Sequence, residues 1–206
     1  MLNRLIVDGL RLSRGERQLF DALNLTLEAG EAVALTGANG AGKTSLLRAI
    51  AGFIRPDQGQ IRFEDDQAQA VESEIVRARM IHLLGHQEGL KPGRTARQEL
   101  GFQSCWLGEK ADADSAMSQL SLLPLLDLET RKLSAGQRRR LSMARLLAAP
   151  RPLWLLDEPL APLDDLWRAR ASDLMQQHLD QGGMILAAVH DPLPCATRSF
   201  DLAALS

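Results

Sequence analysis

The stretch Ala32-Val33-Ala34-Leu35-Thr36-Gly37-Ala38-Asn39-Gly40-Ala41-Gly42-Lys43-Thr44 decides the fold. Residues 32–36 form a short apolar run of the length of a buried strand. Residues 43–51 follow with Leu46, Leu47 and Ile50 at helical spacing. Between them, Gly37 to Thr44 fits G-x-x-x-x-G-K-[ST], so the motif sits between strand and helix, as it must. The glycines let the backbone curl until successive N–H groups and the helix N-terminus aim at a β-phosphate. Lys43 is then placed to reach the β- and γ-phosphates, and the Thr44 hydroxyl to ligate Mg²⁺. An ordinary glycine turn before a helix has a similar outline but does not account for Lys-Thr at its end. The expected nucleotide-binding set is Gly37, Ala38, Asn39, Gly40, Ala41, Gly42, Lys43 and Thr44.

Outward from this unit, apolar residues recur near period two over residues 2–12 and 23–27, as in antiparallel strands with one wet face. Strand-like apolar runs return at residues 80–84, 153–156 and 184–189, separated by helical segments. That order predicts a mostly parallel sheet covered on both faces, an α/β core. Residues 95–134 lack strand signals and carry amphipathic helical patterns, with Ala113, Met117, Leu120 and Leu122 or Leu123 around Pro124. Residues 164–181 predict a helix with Leu166, Trp167, Ala171, Leu174, Met175 and His178 along one stripe and Gly182-Gly183 as its stop. The organisation expected is one domain, with residues 1–87 and 135–206 forming the core and residues 88–134 a helical insertion.

Bulk properties narrow the function. The chain has 206 residues, 45% of them hydrophobic, enough to bury a sizeable interior. Its 24 basic and 26 acidic residues give a net charge of −2, so it lacks the cationic footprint that nucleic-acid binding requires, and no nucleic-acid partner is expected. Cys105 and Cys195 are far apart, which predicts neither a disulfide framework nor a zinc site. No segment approaches the roughly 18 to 20 apolar residues of a membrane span. Direct insertion into a bilayer is therefore not expected, and any membrane role has to come through a partner.

Leu153-Trp154-Leu155-Leu156-Asp157-Glu158 delivers two carboxylates at the C-terminal end of a strand, where α/β sheets place their ligands. With a phosphate loop upstream, Asp157 is expected in the Mg²⁺ shell and Glu158 to polarise the water attacking a γ-phosphate. Leu133-Ser134-Ala135-Gly136-Gln137 opens a helix that continues through Arg138, Arg139 and Arg140, with Ser134 as its expected cap.

This combination resembles the ATP-binding-cassette family, whose Leu-Ser-Gly-Gly-Gln signature likewise precedes an Arg-containing helix and then an acidic strand. The resemblance implies a P-loop NTPase core with an N-terminal antiparallel β subdomain and an inserted helical subdomain. It also implies that Leu133, Ser134, Ala135, Gly136 and Gln137 meet the ATP held on a second copy's phosphate loop. Gln87 resembles the family's Q-loop glutamine, a Mg²⁺ ligand. His190, at the end of the strand over residues 185–189, resembles the histidine that contacts the γ-phosphate. Glu158 and His190 are thus the expected catalytic pair, and Thr44, Gln87 and Asp157 the expected metal ligands. His82, His86 and His178 lack metal-ligand spacing and are expected to be structural or solvent-facing. Two positions depart from the family pattern. The chain has no Tyr, and Arg14 falls where an aromatic residue usually stacks on adenine; an Arg can also stack on a base. Ala161-Pro162-Leu163-Asp164 replaces the family's Ser-Ala-Leu-Asp and loses a hydroxyl.

Residues 37–48, Arg55-Pro56-Asp57, residues 84–91 and residues 133–140 further resemble one branch of the family, the cytochrome c maturation, or haem exporter, ATPases. The branch implies a peripheral subunit on the cytoplasmic face of a bacterial inner membrane. It would use ATP and Mg²⁺, pair as a homodimer and bind integral membrane subunits of a haem-handling complex. The ATPase of another exporter, for lipid or peptide, is the alternative within the family. A non-transport cassette ATPase is the alternative outside transport.

Overall fold

The computed structural model describes residues 1–106, 113–196 and 198–202. Strands β1 (Leu2–Arg14) and β2 (Arg17–Glu28) pair antiparallel, with Leu5 opposite Leu27 and Leu12 opposite Phe20. Strand β3 (Ala32–Thr36) leads through the glycine loop into helix α1 (Lys43–Ile50). Strands β4 (Gln58–Asp65) and β5 (Ala70–Val71) then extend the first sheet to the order β2-β1-β4-β5. After α2 (Ser73–Arg79) and β6 (Ile81–Leu84) come α3 (Ala96–Trp106), α4 (Ala113–Gln119) and two single 3-10 turns. Helix α5 (Ala135–Ala148), β7 (Leu153–Asp157), α6 (Asp165–Asp180), β8 (Met184–Ala188) and β9 (Arg198–Asp201) complete the order. The second sheet, β6-β7-β8-β3-β9, is parallel throughout.

The central strands β7 and β8 are buried at every position, because both faces of the parallel sheet are covered. Alternate residues feed two different cores. Val33, Leu35, Leu153, Leu155, Met184 and Leu186 join Leu46, Leu47 and Ile50 of α1 and the inner face of the antiparallel sheet. Ala32, Ala34, Trp154, Leu156, Ile185 and Ala187 join Leu141, Met143 and Leu146 of α5 and Ala171, Met175 and Leu179 of α6. Helix α1 is thereby wedged between two sheets, which fixes the phosphate loop at its N-terminus.

Helix α5 starts on a reciprocal cap: the Gln137 backbone N–H donates to Ser134 Oγ (3.2 Å), and the Ser134 N–H donates to Gln137 Oε1 (2.8 Å). Helix α6 starts where the Asp164 carboxylate accepts from the Trp167 N–H at 2.9 Å. Its apolar stripe differs from the sequence reading at one residue. Leu166 is 60% exposed, whereas Ala171, Met175 and Leu179 are buried. Nine residues separate Leu166 from Met175, and at 3.6 residues per turn that places them on opposite faces. Around Pro124, Leu122 is the buried member of the pair and Leu123 is exposed.

Candidate active site

Gly42 takes φ 99° at the N-terminus of α1, and a Cβ there would lie 2.9 Å from Phe20 Cε1. Backbone conformation and space both demand glycine at this position. Immediately after it, Lys43 is only 8% exposed, and its ammonium donates to Gly37 O at 2.6 Å and Ala38 O at 3.4 Å. The Thr44 hydroxyl lies 3.0 and 3.2 Å from the two carboxylate oxygens of Asp157. Asp157 is 4% exposed, and that hydroxyl is its side chain's hydrogen-bond partner among the described residues. A buried carboxylate beside a hydroxyl, at the mouth of a phosphate loop, is a hard-oxygen donor set. It suits Mg²⁺, which takes one or two protein oxygens and fills its shell with phosphate and water.

Glu158 follows at the end of β7 with φ 49°, a left-handed conformation that costs a non-glycine residue about 1 kcal/mol or more and that gathers at functional sites. Its N–H donates to Ala188 O at 2.9 Å, and its carboxylate lies 3.5 Å from His190 Nε2. The chain beyond β8 is held by the Val189 N–H donating to Leu35 O at 3.1 Å, which sets His190 beside Glu158. A carboxylate and an imidazole therefore meet at the C-terminal edge of the parallel sheet, facing the glycine loop.

The cleft between them has a volume of about 610 Å³ and is walled by the loop from Ala38 to Thr44, by Asp157, Glu158 and His190, and by Arg14 of β1. Its volume is that of a small-molecule site. Gln87 is exposed and lies outside this wall; its neighbour His86, also exposed, lines it instead. Leu133, Ser134, Ala135, Gly136 and Gln137 lie at the start of α5, away from the cleft, with Ser134 and Ala135 exposed. Arg17, Leu19, Ser45 and Ala161 complete the lining. None of these four, nor His86, carries a sequence signal stronger than proximity to a motif.

Arg139 is a further residue of the region. It is 2% exposed and donates to Gly85 O (3.0 Å), Asp157 O (3.3 Å) and Glu158 O (3.0 Å). Its position four residues before buried Met143 and seven before buried Leu146 is the signal that places it on the inner face of α5. His82 and His178 are structural: His82 Nε2 pairs with Ala149 O, and His178 stacks on Trp154 at 3.8 Å. Burial pushes the two imidazoles down to about 3 and about 4 respectively.

The family model described as ABC transporter matches residues 20–161. The cytochrome c biogenesis ATP-binding export protein CcmA of Rhodopseudomonas palustris (strain HaA2) is 45% identical over 202 residues, covering 98% of each chain. The protein of the same name from strain BisB18 is 48% identical and covers 95% of this chain and 96% of its own. The one from Agrobacterium fabrum is 39% identical, over 92% and 90%. Among solved structures, the dimeric bacterial ABC transporter cassette MJ0796 superposes with a TM-score of 0.81 at 21% identity, over 96% of this chain and 93% of that one. Its post-hydrolysis form bound to ADP and Pi gives 0.81 at 20% identity over the same shares. A family model that takes in both the glycine loop and the acidic strand, with relatives matched nearly end to end, places this chain in the ABC transporter family, as an ATPase of the ATP-binding-cassette type.

Proposed function

We propose that this chain is the ATP-hydrolysing subunit of an export complex serving c-type cytochrome biogenesis. In this reading it acts on the cytoplasmic face of a bacterial inner membrane and drives haem export or release of a haem-loaded carrier. The relatives' shared name supports the biological setting. The chemistry rests on one observation above the others: Glu158 is held in a strained conformation 3.5 Å from His190, across the cleft from the Lys43 loop.

Lys43 exchanges its two carbonyl acceptors for β- and γ-phosphate oxygens, and the loop N–H groups from Ala38 to Thr44 take the β-phosphate. Thr44 and Asp157 would hold Mg²⁺, with Gln87 contributed from the neighbouring loop; the bound ion supplies neutralisation of charge on the phosphates. Glu158 accepts a proton from water as its oxygen attacks the γ-phosphorus. The bond from that phosphorus to the bridging oxygen breaks, and ADP leaves. His190 holds the γ-phosphate and the attacking water in line. Arg14 lies against the base.

Two copies close head to tail, so that Ser134 and Gly136 of one meet the γ-phosphate on the loop of the other, with the N-terminus of α5 favouring its charge. Residues 88–134 act as the helical insertion between the two parts of the core, residues 1–87 and 135–206. Beside it lies a second groove of about 480 Å³, lined by Phe53, Phe102, Arg77, Lys91, Arg145 and Arg151 among others. Its exposed Phe53 and Phe102 rings, with the exposed Lys91 beside them, suit an apolar, acidic cytoplasmic segment of an integral membrane subunit. No helix of the described residues is long and apolar enough to cross a membrane.

Glu158→Gln should bind ATP and remain a closed pair, because the acceptor for the water proton is gone while the clamp is intact. Size-exclusion chromatography with Mg-ATP reads this directly, and an active monomeric variant would contradict the mechanism. Co-purification with the membrane subunits, with analysis of bound haem, tests the setting. Capture of a lipid or peptide exporter's subunits instead would count against it.

A further inference from the structure

We infer that Arg139 is a positioning residue through which the two nucleotide sites of a pair communicate: it ties the helix that meets the partner's ATP to the backbone that holds this chain's own Glu158. The inference rests on the paired-cassette reading above.

Ser134 and Arg139 are five residues apart, so about 7.5 Å of stiff helix separates the tip from the backbone position that carries the guanidinium. The guanidinium then bridges two other segments at once. One amino group donates to Gly85 O at 3.0 Å, one residue before His86 of the cleft wall. The other donates to Asp157 O at 3.3 Å and Glu158 O at 3.0 Å. Glu158 is left-handed, so its orientation is set by its neighbours and not by its own preference. Apart from Arg139, its carbonyl accepts, among the described residues, a longer bond from the Ala161 N–H at 3.4 Å.

The start of α5 also lies against the chain that follows Glu158: a Cβ at Gly136 would come within 3.1 Å of Pro162 O. A displacement of this tip toward a partner's γ-phosphate is thus passed to the Glu158 peptide by direct contact. Arginine suits the task because one rigid fork can satisfy carbonyls from two segments. Burial lowers its pKa, while Glu88, Asp157 and Glu158 oppose that shift.

The test uses the full-length chain, comparing the parent with Arg139→Met, which keeps the stem and removes the fork, and Arg139→Lys, which keeps a charge but cannot span both segments. The readouts are ATP-dependent hydrolysis, Mg-ATP affinity and ATP-induced pairing. For the parent, the Hill coefficient should approach about 2, the number of sites. In Arg139→Met, kcat should fall by about a hundredfold, as for a small misplacement of a reacting group. The Hill coefficient should fall to about 1, with Mg-ATP affinity unchanged. Arg139→Lys should recover part of kcat and none of the sigmoidicity. A folded Met variant with the parent's rate and sigmoidicity overturns the inference. If the Met variant does not fold, a Lys variant matching the parent in both readouts overturns it equally. Loss of affinity with kcat and Hill coefficient intact would mark a merely structural arginine. Should the parent itself show no ATP-induced pairing, the paired-cassette reading is what fails, and the inference falls with it.

Discussion

Lys43 occupies a buried position where its ammonium is held by two loop carbonyls, so the chain stores a cation at the point where, in the proposed mechanism, phosphate charge is met. Lys43→Ala removes a charge-assisted hydrogen bond of about 1.5–3 kcal/mol, and Mg-ATP affinity should drop by roughly tenfold to a hundredfold. Isothermal titration against the parent checks this, and unchanged affinity would remove the lysine from the site. Single residues were legible in the sequence where a motif fixed their spacing: Lys43, Thr44, Asp157 and Glu158 converge as their motifs require. What the letters could not carry is conformation. The left-handed Glu158 is invisible in Asp-Glu, and the bonds that flank it, from Arg139 and to Ala188, come from partners remote in sequence. His86 and Gln87 are adjacent, and only the path of the loop decides that the histidine faces the cleft.

At the scale of elements, the same logic separates what was readable from what was not. Strand β3 coincides with its predicted run, and β7 and β8 lie within one residue of theirs, because each is covered on both faces and therefore apolar up to its C-terminal end. Strands β4, β5 and β9 and helix α2 left no such trace. In β4 only Phe63 is buried, β9 is an edge strand with Arg198, Ser199 and Asp201 exposed, and α2 buries Val76 alone. Pairing more than burial holds β4 and β9, whose partners β1 and β3 are distant in sequence, whereas β5 pairs with its neighbour β4. Helix α5 was announced by its cap, and the cap allows stability to be separated from function. Ser134→Ala loses the bond to the Gln137 N–H, a cost of about 1 kcal/mol that shifts the melting temperature by a few degrees. In the paired reading the same hydroxyl touches the partner's γ-phosphate, so ATP-induced pairing should fall far more than stability does. Light scattering with and without Mg-ATP, set beside thermal melts, decides it; pairing that weakens only in step with stability would confine Ser134 to capping.

Across the whole molecule, two layers of core meet at the parallel sheet, and on its α5–α6 side two imidazoles are packed without charge. Burial holds His82 at about 3 and His178 at about 4, below the usual 6.5, and His178 lies flat on Trp154. The sign of the consequence follows from proton counting. Near pH 5 the unfolded chain carries both protons and the folded chain carries neither, so stability rises with pH through this range. Above about 6.5 both states are neutral at these groups, and the contribution is fully present. It is lost progressively as pH falls from about 6.5 toward 4, before most carboxylates titrate. His178→Phe keeps a flat ring against Trp154 and removes one titrating group. Urea unfolding followed between pH 7 and pH 4.5 should therefore give a flatter stability profile for the variant than for the parent, the variant gaining on the parent as pH falls. Parallel profiles would mean that the His178 ring takes up its proton over the same pH range in the folded and the unfolded chain, which its contact with Trp154 and its burial in the core both oppose. The site is joined to the same layer, since Trp154 belongs to the strand that ends in Asp157 and leads into Glu158. Acid that loosens the α6 packing should lower ATP hydrolysis only as the folded fraction falls, and a rate that drops while the chain is still folded would point instead to groups in the cleft.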